Sequence, residues 1–296
     1  MRIETVAVVA PGDMGHAVAA RLKAGGLRVA TCLAGRSART RALAAAAGVE
    51  DLGDDATLVR AADLLLSILV PAQAEALARR IAAAVQRTGT DLLYVDCNAI
   101  APQTACEVGR IVESAGARFV DAGIIGPPPK RGATGTRFYA SGAAAAEFAE
   151  LRDHGLDVRV IGDCAGDASA VKMCYAALTK GTTAIMTELL IAAERLGVSE
   201  PLRAELEESQ PDMLQRMRRS VPAMVPKAHR WVGEMEEIAR TFAAAGLTPL
   251  TFEGAAALYA LLADTPLGRT SPEEWAGAGR DCEQVVGELA RTRRGH

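Results

Sequence analysis

The sequence predicts an α/β protein in which an N-terminal doubly wound sheet is followed by an all-α C-terminal region built on one long interdomain helix. Three observations carry that expectation. Short β-branched or continuously apolar runs alternate with helical stretches as far as residue 162, the pattern of a parallel sheet whose strands are covered on both faces. A glycine-bearing turn stands between the first strand and the first helix. Beyond Gly162 strand signal almost disappears and helical periodicity takes over.

The first strand is "TVAVVA" (5–10), followed by a helix from Asp13 to Ala24. "LRVATCLA" (27–34) is a second strand, and "SARTRALAAAAG" a helix that Gly48 closes. "ADLLLSILV" (62–70), "DLLYVDC" (91–97) and "ARFVDAGII" (117–125) extend the sheet, with "PAQAEALARRIAAAVQRTG" and "PQTACEVGRIVESAG" as helices between them. "TRFYASG" (136–142) and "DVRVIG" (157–162) add two more strands. Helices are then expected over 167–196, roughly 201–219, 227–245, 252–263 and 272–292. At 1.5 Å per residue the 167–196 segment is about 45 Å long, too long for one helix of a small unit. It reads as a spine between two domains, 1–163 and 164–296.

With 296 residues, 50% of them hydrophobic, the chain is long enough for one large core or two ordinary ones. A formal net charge of −3 gives no electrostatic reason to expect nucleic acid as a partner, and the "RTRRGH" end reads as a solvated tail. No eighteen apolar residues run together, so no membrane span is expected. The apolar run Val6–Ala10 stops at Pro11 and Gly12, which argues against a signal peptide. Six cysteines (Cys32, Cys97, Cys106, Cys164, Cys174, Cys282) lie scattered without a CxxC pair, so reduced thiols and a cytoplasmic setting are expected. Histidines 16, 154, 229 and 296 do not cluster, and no metal site is expected.

"VAVVAPGDMG" puts a strand before a tight turn and a helix after it, the context in which backbone N–H groups and a helix N-terminus face a pyrophosphate. Against G-x-G-x-x-G the three positions are Ala10, Gly12 and Gly15, so alanine replaces the first glycine; Pro11, Asp13 and Met14 fill the turn. His16 follows it. NAD-binding chains usually carry a carboxylate about twenty residues further on, for the ribose 2′-hydroxyl. Here Arg36 stands 21 residues past Gly15, followed by Ser37, Arg39 and Arg41, and the only carboxylate between Glu4 and Glu50 is Asp13. A guanidinium, a hydroxyl and the start of the next helix suit a 2′-phosphate. The expected cofactor is therefore NADP(H), held by residues 10–15, Arg36, Ser37 and Arg39, although Arg39 and Arg41 also fit a solvated helix face.

"GDASAVKMCYAALTKG" (166–181) carries a lysine in an unusual place. The residues three and four away from Lys172 are Ala168, Ser169, Tyr175 and Ala176, so its ammonium is directed at protein rather than water, which is costly without a partner.

Together these pieces resemble the β-hydroxyacid dehydrogenase superfamily, which includes 3-hydroxyisobutyrate and 6-phosphogluconate dehydrogenases and has the imine reductases as a related branch. "APGDMG" is similar to the family's G-x-G-x-M-G. "VDCNAIAP" (95–102) resembles D-x-S-T-x-x-P, with Asp96, Asn98 and Pro102 in place. "FVDAGIIGPPP" (119–129) falls on D-A-P-V-S-G-G, and "ATGTRFYASG" (133–142) on the A-x-x-G-x-L stretch that follows it. "GDASAVKMCYA" falls on G-x-G-x-x-x-K-x-x-N. The resemblance implies a Rossmann domain, a helical substrate and dimerisation domain, and Lys172 as the catalytic lysine that touches the substrate oxygen. It also implies Leu69, Val70 and Asn98 at the cofactor, with Asn98, Ile125, Gly126, Pro127, Tyr175, Ala176 and Thr179 at the substrate. A partly desolvated ammonium can give a proton to the nascent alkoxide and take it back near neutrality. Lys180 is either a snorkelling surface lysine or a second pocket cation.

The departures bear on the substrate. Ile125 stands for the serine of S-G-G and Pro127 for its second glycine, with Pro128 and Pro129 behind, so N–H donors for a substrate carboxylate are missing. Lys130 and Arg131 are the cations that remain to offer an anion site there. Tyr175 replaces the asparagine, and Thr179 stands where decarboxylating members carry an acid. In "PKAHRWVGEMEEIARTFAAAGLTP" (226–249), Trp231, Met235, Ile238 and Phe242 keep helical spacing and read as core or dimer seam. Met213, Met217 and Met224 are candidates for a pocket wall or for ordinary core filling. The expected function is an NADP(H)-dependent, non-decarboxylating oxidoreductase acting on a small carbonyl or hydroxy compound as a homodimer. The alternatives are an NADPH-dependent imine reductase, which the loop favours and Lys172 opposes, and a nucleotide-sensing protein with a degenerate site.

Overall fold

The computed structural model describes residues 2–129 and 135–292. The chain forms two compact units, Met1–Cys174 and Tyr175–His296.

The first unit is built from β1 (Thr5–Val9), α1 (Asp13–Ala24), β2 (Arg28–Thr31), α2 (Ala38–Ala46), β3 (Glu50–Asp51), α3 (Asp55–Ala61), β4 (Leu64–Ser67), α4 (Ala74–Thr88), β5 (Leu93–Asp96), α5 (Pro102–Glu113), β6 (Arg118–Ile125), β7 (Arg137–Ser141), α6 (Ala145–Phe148) and β8 (Asp157–Gly162). The strands lie in the order β3-β2-β1-β4-β5-β6-β7-β8. The order reverses at β1, and ligands of doubly wound sheets sit outside the strand C-termini at such a reversal. Alternate residues of the central strands feed two cores. Val6, Val8, Leu64, Leu66 and Val95 pack with Val18 and Leu22 of α1. Ala7, Leu65 and Tyr94 pack with Leu58, Leu77, Ile81 and Val108 of α3, α4 and α5.

The sheet departs from the expected pattern in two places. β7 runs antiparallel to β6, because the link between them is too short for a crossover helix, and strand composition carries no direction. The two-residue β3 and the helix α3, whose N-terminus Asp54 caps by accepting from Thr57 N at 2.9 Å, lie between residues 48 and 62, where the sequence predicts no element.

The helix α7 (Asp167–Ala176) explains why the compact units divide at 174/175 rather than at the expected 163/164. Its first turns are bonded to the sheet. Gly123 of β6 has no side chain, and a Cβ there would lie 2.9 Å from both Ala168 O and Lys172 Cβ.

The second unit takes over from α7 with a π-turn (Ala177–Gly181) and α8 (Thr182–Leu196), so the expected 167–196 helix is continuous but not uniformly α-helical. α9 (Ser199–Ser209), α10 (Pro211–Met224), α11 (Ala228–Ala244), α12 (Leu250–Ala263), α13 (Pro272–Ala278) and α14 (Cys282–Arg291) follow. The helix expected over 201–219 is two helices, since Pro211 cannot donate to the preceding turn but suits a first helical position. The one expected over 272–292 is also two. Gly279 takes a left-handed φ of +59°, and Asp281 starts the next helix with a capping box, accepting from Gln284 N at 2.8 Å. Met217, Met224, Met235 and Ile238 are buried core, while Met213 and Phe242 are half-buried. Among the described residues no helix is long and apolar enough to cross a membrane, and no three His, Cys, Asp or Glu side chains are grouped to hold a metal.

Candidate functional site

The C-terminal ends of β1, β2, β4, β5 and β6 bring together most of the candidate residues of the first unit. β1 leads into Ala10, Pro11 and Gly12, and α1 starts at Asp13 with no side chain capping it. The N–H groups of its first turn are the donors an anion would use. The glycines have different jobs. A Cβ on Gly15 would meet Ala10 O at 2.2 Å, so Gly15 lets the turn close on itself, whereas a Cβ on Gly12 would meet nothing within 4 Å. His16 is committed locally, its Nδ1 lying 2.7 Å from Gly12 O. An uncapped helix N-terminus beside open space at Gly12 fits a dinucleotide pyrophosphate.

Past β2 the chain turns at Gly35, with φ +69°. Arg41 is exposed and also knits this turn, donating to Leu33 O at 2.6 Å and Arg36 O at 3.3 Å. Arg36 is half-buried and bonds none of the described residues through its guanidinium. Ser37 caps α2, its Oγ accepting from Thr40 N at 3.2 Å. Arg39 differs from the expectation of a phosphate ligand in already having a carboxylate: it pairs with Asp13 at 2.7 Å, linking α2 to the glycine turn.

Asn98 also differs from its expected role. It is 2% exposed, and its amide is spent on the scaffold. Nδ2 donates to Asp96 Oδ2 and Ser67 Oγ, both at 2.8 Å, while Oδ1 accepts from Leu69 N at 2.5 Å. Its effect at the site is to fix the Leu69–Val70 segment, where Val70 is 44% exposed. Ile125 is buried, and Gly126 and Pro127 are exposed at the end of β6. Pro127 O accepts from Thr136 Oγ1 at 2.6 Å. Lys130 and Arg131 lie outside the described residues.

Lys172 is half-buried, with Ala168 and Ser169 fully buried beside it. Its Nζ donates to Ile124 O at 2.5 Å, which holds the ammonium near the C-terminal end of β6. Tyr175, Ala176 and Thr179 fall in the second unit. Ala176 is 1% exposed, and the half-buried Thr179 donates its hydroxyl to Tyr175 O at 3.1 Å. Lys180 is no free pocket cation: it pairs with Glu234, both side chains 13% exposed, and its Nζ lies 5.3 Å from the Trp231 ring centre.

Two buried carboxylates complete the site. Asp96 and Asp121 are register partners on β5 and β6, each 1% exposed. Burial pushes the Asp96 carboxyl up to about 7, and the neighbouring Asp121 charge adds to the rise. Burial likewise raises Asp121, against the hydrogen bonds it accepts. Asp121 and Asp96 share a legible signal, an acid ending a run that otherwise reads as a buried strand ("LYVD", "RFVD"). A carboxylate whose folded-state pKa is raised stabilises below its ordinary value and loses that contribution as pH rises through about 7. Stability is therefore expected to fall by up to about 4 kcal/mol from this group between pH 4 and 7, at about 1.4 kcal/mol per unit. Urea unfolding of Asp96→Asn followed by far-UV circular dichroism should show a flatter pH profile than the parent; an unchanged slope would assign the effect elsewhere.

A doubly wound sheet with a glycine turn and an uncapped helix N-terminus at its strand ends is the arrangement of a dinucleotide-binding protein. Residues 5–154 match the NAD binding domain of 6-phosphogluconate dehydrogenase, and residues 193–262 a domain of unknown function, DUF1932. An uncharacterized 28.5 kDa protein of Methanothermus fervidus is 30% identical over 184 residues, 62% of this chain and 69% of that protein. A conserved protein of unknown function, described as structurally similar to 3-hydroxyacid dehydrogenases, superposes with a TM-score of 0.65 at 30% identity, covering 90% of this chain and all of the other. 3-Hydroxyisobutyrate dehydrogenase of Mycobacterium tuberculosis shares the fold, with a TM-score of 0.70 at 21% identity over 98% of this chain and 100% of that one. The chain belongs to the β-hydroxyacid dehydrogenase-like superfamily of nicotinamide-dependent oxidoreductases.

Proposed function

We propose that the protein is an NADP(H)-dependent, non-decarboxylating oxidoreductase acting on a small carbonyl compound or the matching alcohol, with Lys172 as its general acid and base. The observation that carries this reading is the Lys172 ammonium, half-buried and bonded to Ile124 O at 2.5 Å, at the strand ends where the glycine turn also opens. When bound, the reduced nicotinamide supplies the hydride for the carbonyl carbon. Lys172 supplies the proton for the oxygen and removes it in the reverse direction. Ile124 O takes one of the three ammonium donors and so directs the group. Pro127, Pro128 and Pro129 contribute no N–H groups for a carboxylate, which supports a less polar pocket and a neutral substrate. The same loop favours the second reading, reduction of a C=N bond. Lys172 opposes it.

Arg36, whose guanidinium bonds none of the described residues, is our candidate for the 2′-phosphate. Arg36→Ala is expected to weaken NADPH about 10- to 100-fold, the range for a hydrogen bond to a charged group, and to leave NADH nearly unaffected. Titration calorimetry with both cofactors checks this; equal losses would remove the assignment. We also propose a homodimer through the helical unit, supported by the exposure of Leu178 (60%) and Ile185 (58%). Light scattering on the purified protein reads the mass directly.

The function itself is tested with NADPH, and separately NADP⁺, against β-keto and β-hydroxy acids, neutral ketones or aldehydes, and cyclic imines, following reduced-nicotinamide absorbance. Turnover on an oxo or hydroxy compound supports the proposal. Turnover on imines alone moves the protein to the second reading, and tight NADPH binding without turnover on any panel would favour a sensor.

A further inference from the structure

We propose that Asp121 is the positioning residue for Lys172, fixing the rotation and height of α7 on β6 and thereby the direction of the ammonium. Four donors converge on its carboxylate. Oδ2 accepts from Gly166 N and Ser169 N, both at 2.9 Å, and from Ser141 Oγ at 3.2 Å; Oδ1 accepts from Ser169 Oγ at 2.6 Å. Ser141 Oγ in turn accepts from Ala168 N at 3.0 Å. Gly166 immediately precedes the helix that carries Lys172 and Ala168 and Ser169 lie in its first turn, and the N–H groups of all three are satisfied by strand residues. Ser169 is also three residues before Lys172, on the same helix face.

A second constraint acts from β6 itself. Gly123, two residues beyond Asp121 and on the same face of the strand, lets Ala168 O and Lys172 Cβ approach to where a Cβ would lie 2.9 Å away. Asp121 therefore holds the start of the helix and Gly123 the level of Lys172, while Ile124 O receives the Nζ. The titratable groups near Asp121 are Asp96 of β5, Cys97 just after it and Cys106 of α5, which Asp167 of α7 also faces. Burial pushes both Asp121 and Asp96 up, and each accepts hydrogen bonds that oppose the rise.

This inference rests on the proposed role of Lys172 only where it concerns turnover; the placement of the lysine is testable without a substrate. The folded protein is pulsed with trace isotopic acetic anhydride across a pH series, and acetylation of Lys172 is read by peptide mass spectrometry against Lys23, which is bonded to Gly48 O at 2.5 Å and serves as internal standard. Asp121→Asn is expected to change the Lys172-to-Lys23 labelling ratio by about fivefold or more, the scale of one lost hydrogen bond to a charged group. Ser169→Ala, which leaves the carboxylate in place, is expected to give a smaller change in the same direction, and it decides the matter should Asp121→Asn fail to fold. An unchanged ratio in folded variants overturns the proposal. Once a substrate is in hand, Asp121→Asn should lower kcat with little change in KM. If Lys172→Ala retains turnover while Asp121→Asn still moves the labelling ratio, the acid–base role of the lysine falls and its positioning by Asp121 stands.

Discussion

Lys172→Ala should lower turnover by about 10²- to 10⁴-fold, the usual contribution of a general acid–base group, and leave cofactor affinity nearly unchanged. The split follows from the geometry. The ammonium bonds to a backbone carbonyl at the end of β6, whereas the features suited to the dinucleotide lie on α1 and in the turn after β2. Its loss therefore removes a proton donor without disturbing the phosphate-binding features. Lys172→Arg makes the test sharper: a guanidinium keeps the charge and its donors but does not give up its proton near neutrality. Arginine should thus restore the melting temperature and not the rate. Stopped-flow transients at saturating cofactor would check both, and an alanine variant that loses only thermal stability would make the lysine structural.

The second large effect distinguishes two glycines of the same turn that residue type alone would treat alike. Gly15→Ala should lower both stability and cofactor affinity, because its new methyl carbon would stand 2.2 Å from Ala10 O. A backbone oxygen cannot swing aside as a side-chain tip can, so the strand–turn–helix junction must move, at the upper end of the about 1–3 kcal/mol typical of overpacking. Gly12 is the contrast. Its φ of −77° suits any residue and its Cβ position is open, so Gly12→Val should melt normally yet bind NADPH at least tenfold more weakly, about 1.4 kcal/mol, by occupying the space the pyrophosphate needs. Circular dichroism melts paired with calorimetric titration would show the pattern. A Gly12→Val protein with unimpaired affinity would detach the turn from the cofactor.

Much of this was legible because two local signals are strong. The apolar runs ending in Val9, Ser67 and Asp96 fit buried strands only, and the glycine turn announces its own helix. Strand direction was not legible. β7 pairs antiparallel with β6 through a connection whose prolines and glycines say "turn" without saying which way the chain returns. The π-turn at Ala177–Gly181 was equally hidden, although Thr179, Thr182 and Thr183 all bond back to carbonyls of the preceding turn, a habit that bends and loosens helices. At the site, residue types pointed to the right strand ends but not to side-chain commitments. Asn98, Ser37 and Arg39 look free in a sequence and turn out bonded to their own scaffold. Asp121 works through main-chain N–H groups, which no residue name records.

Trp231, set edge-on against Tyr259 with ring centres 5.3 Å apart, belongs with Trp275 to a pair of emitters that both lie after residue 174. The sheet unit is therefore dark to indole fluorescence, while circular dichroism registers both units. Light absorbed by Tyr259 passes efficiently to an indole at that separation, so indole emission sensitised by Tyr259 also reports on the helical unit. Heated under both detectors, the protein separates its own two melting events: coincident curves mean one cooperative molecule, and displaced curves mean two.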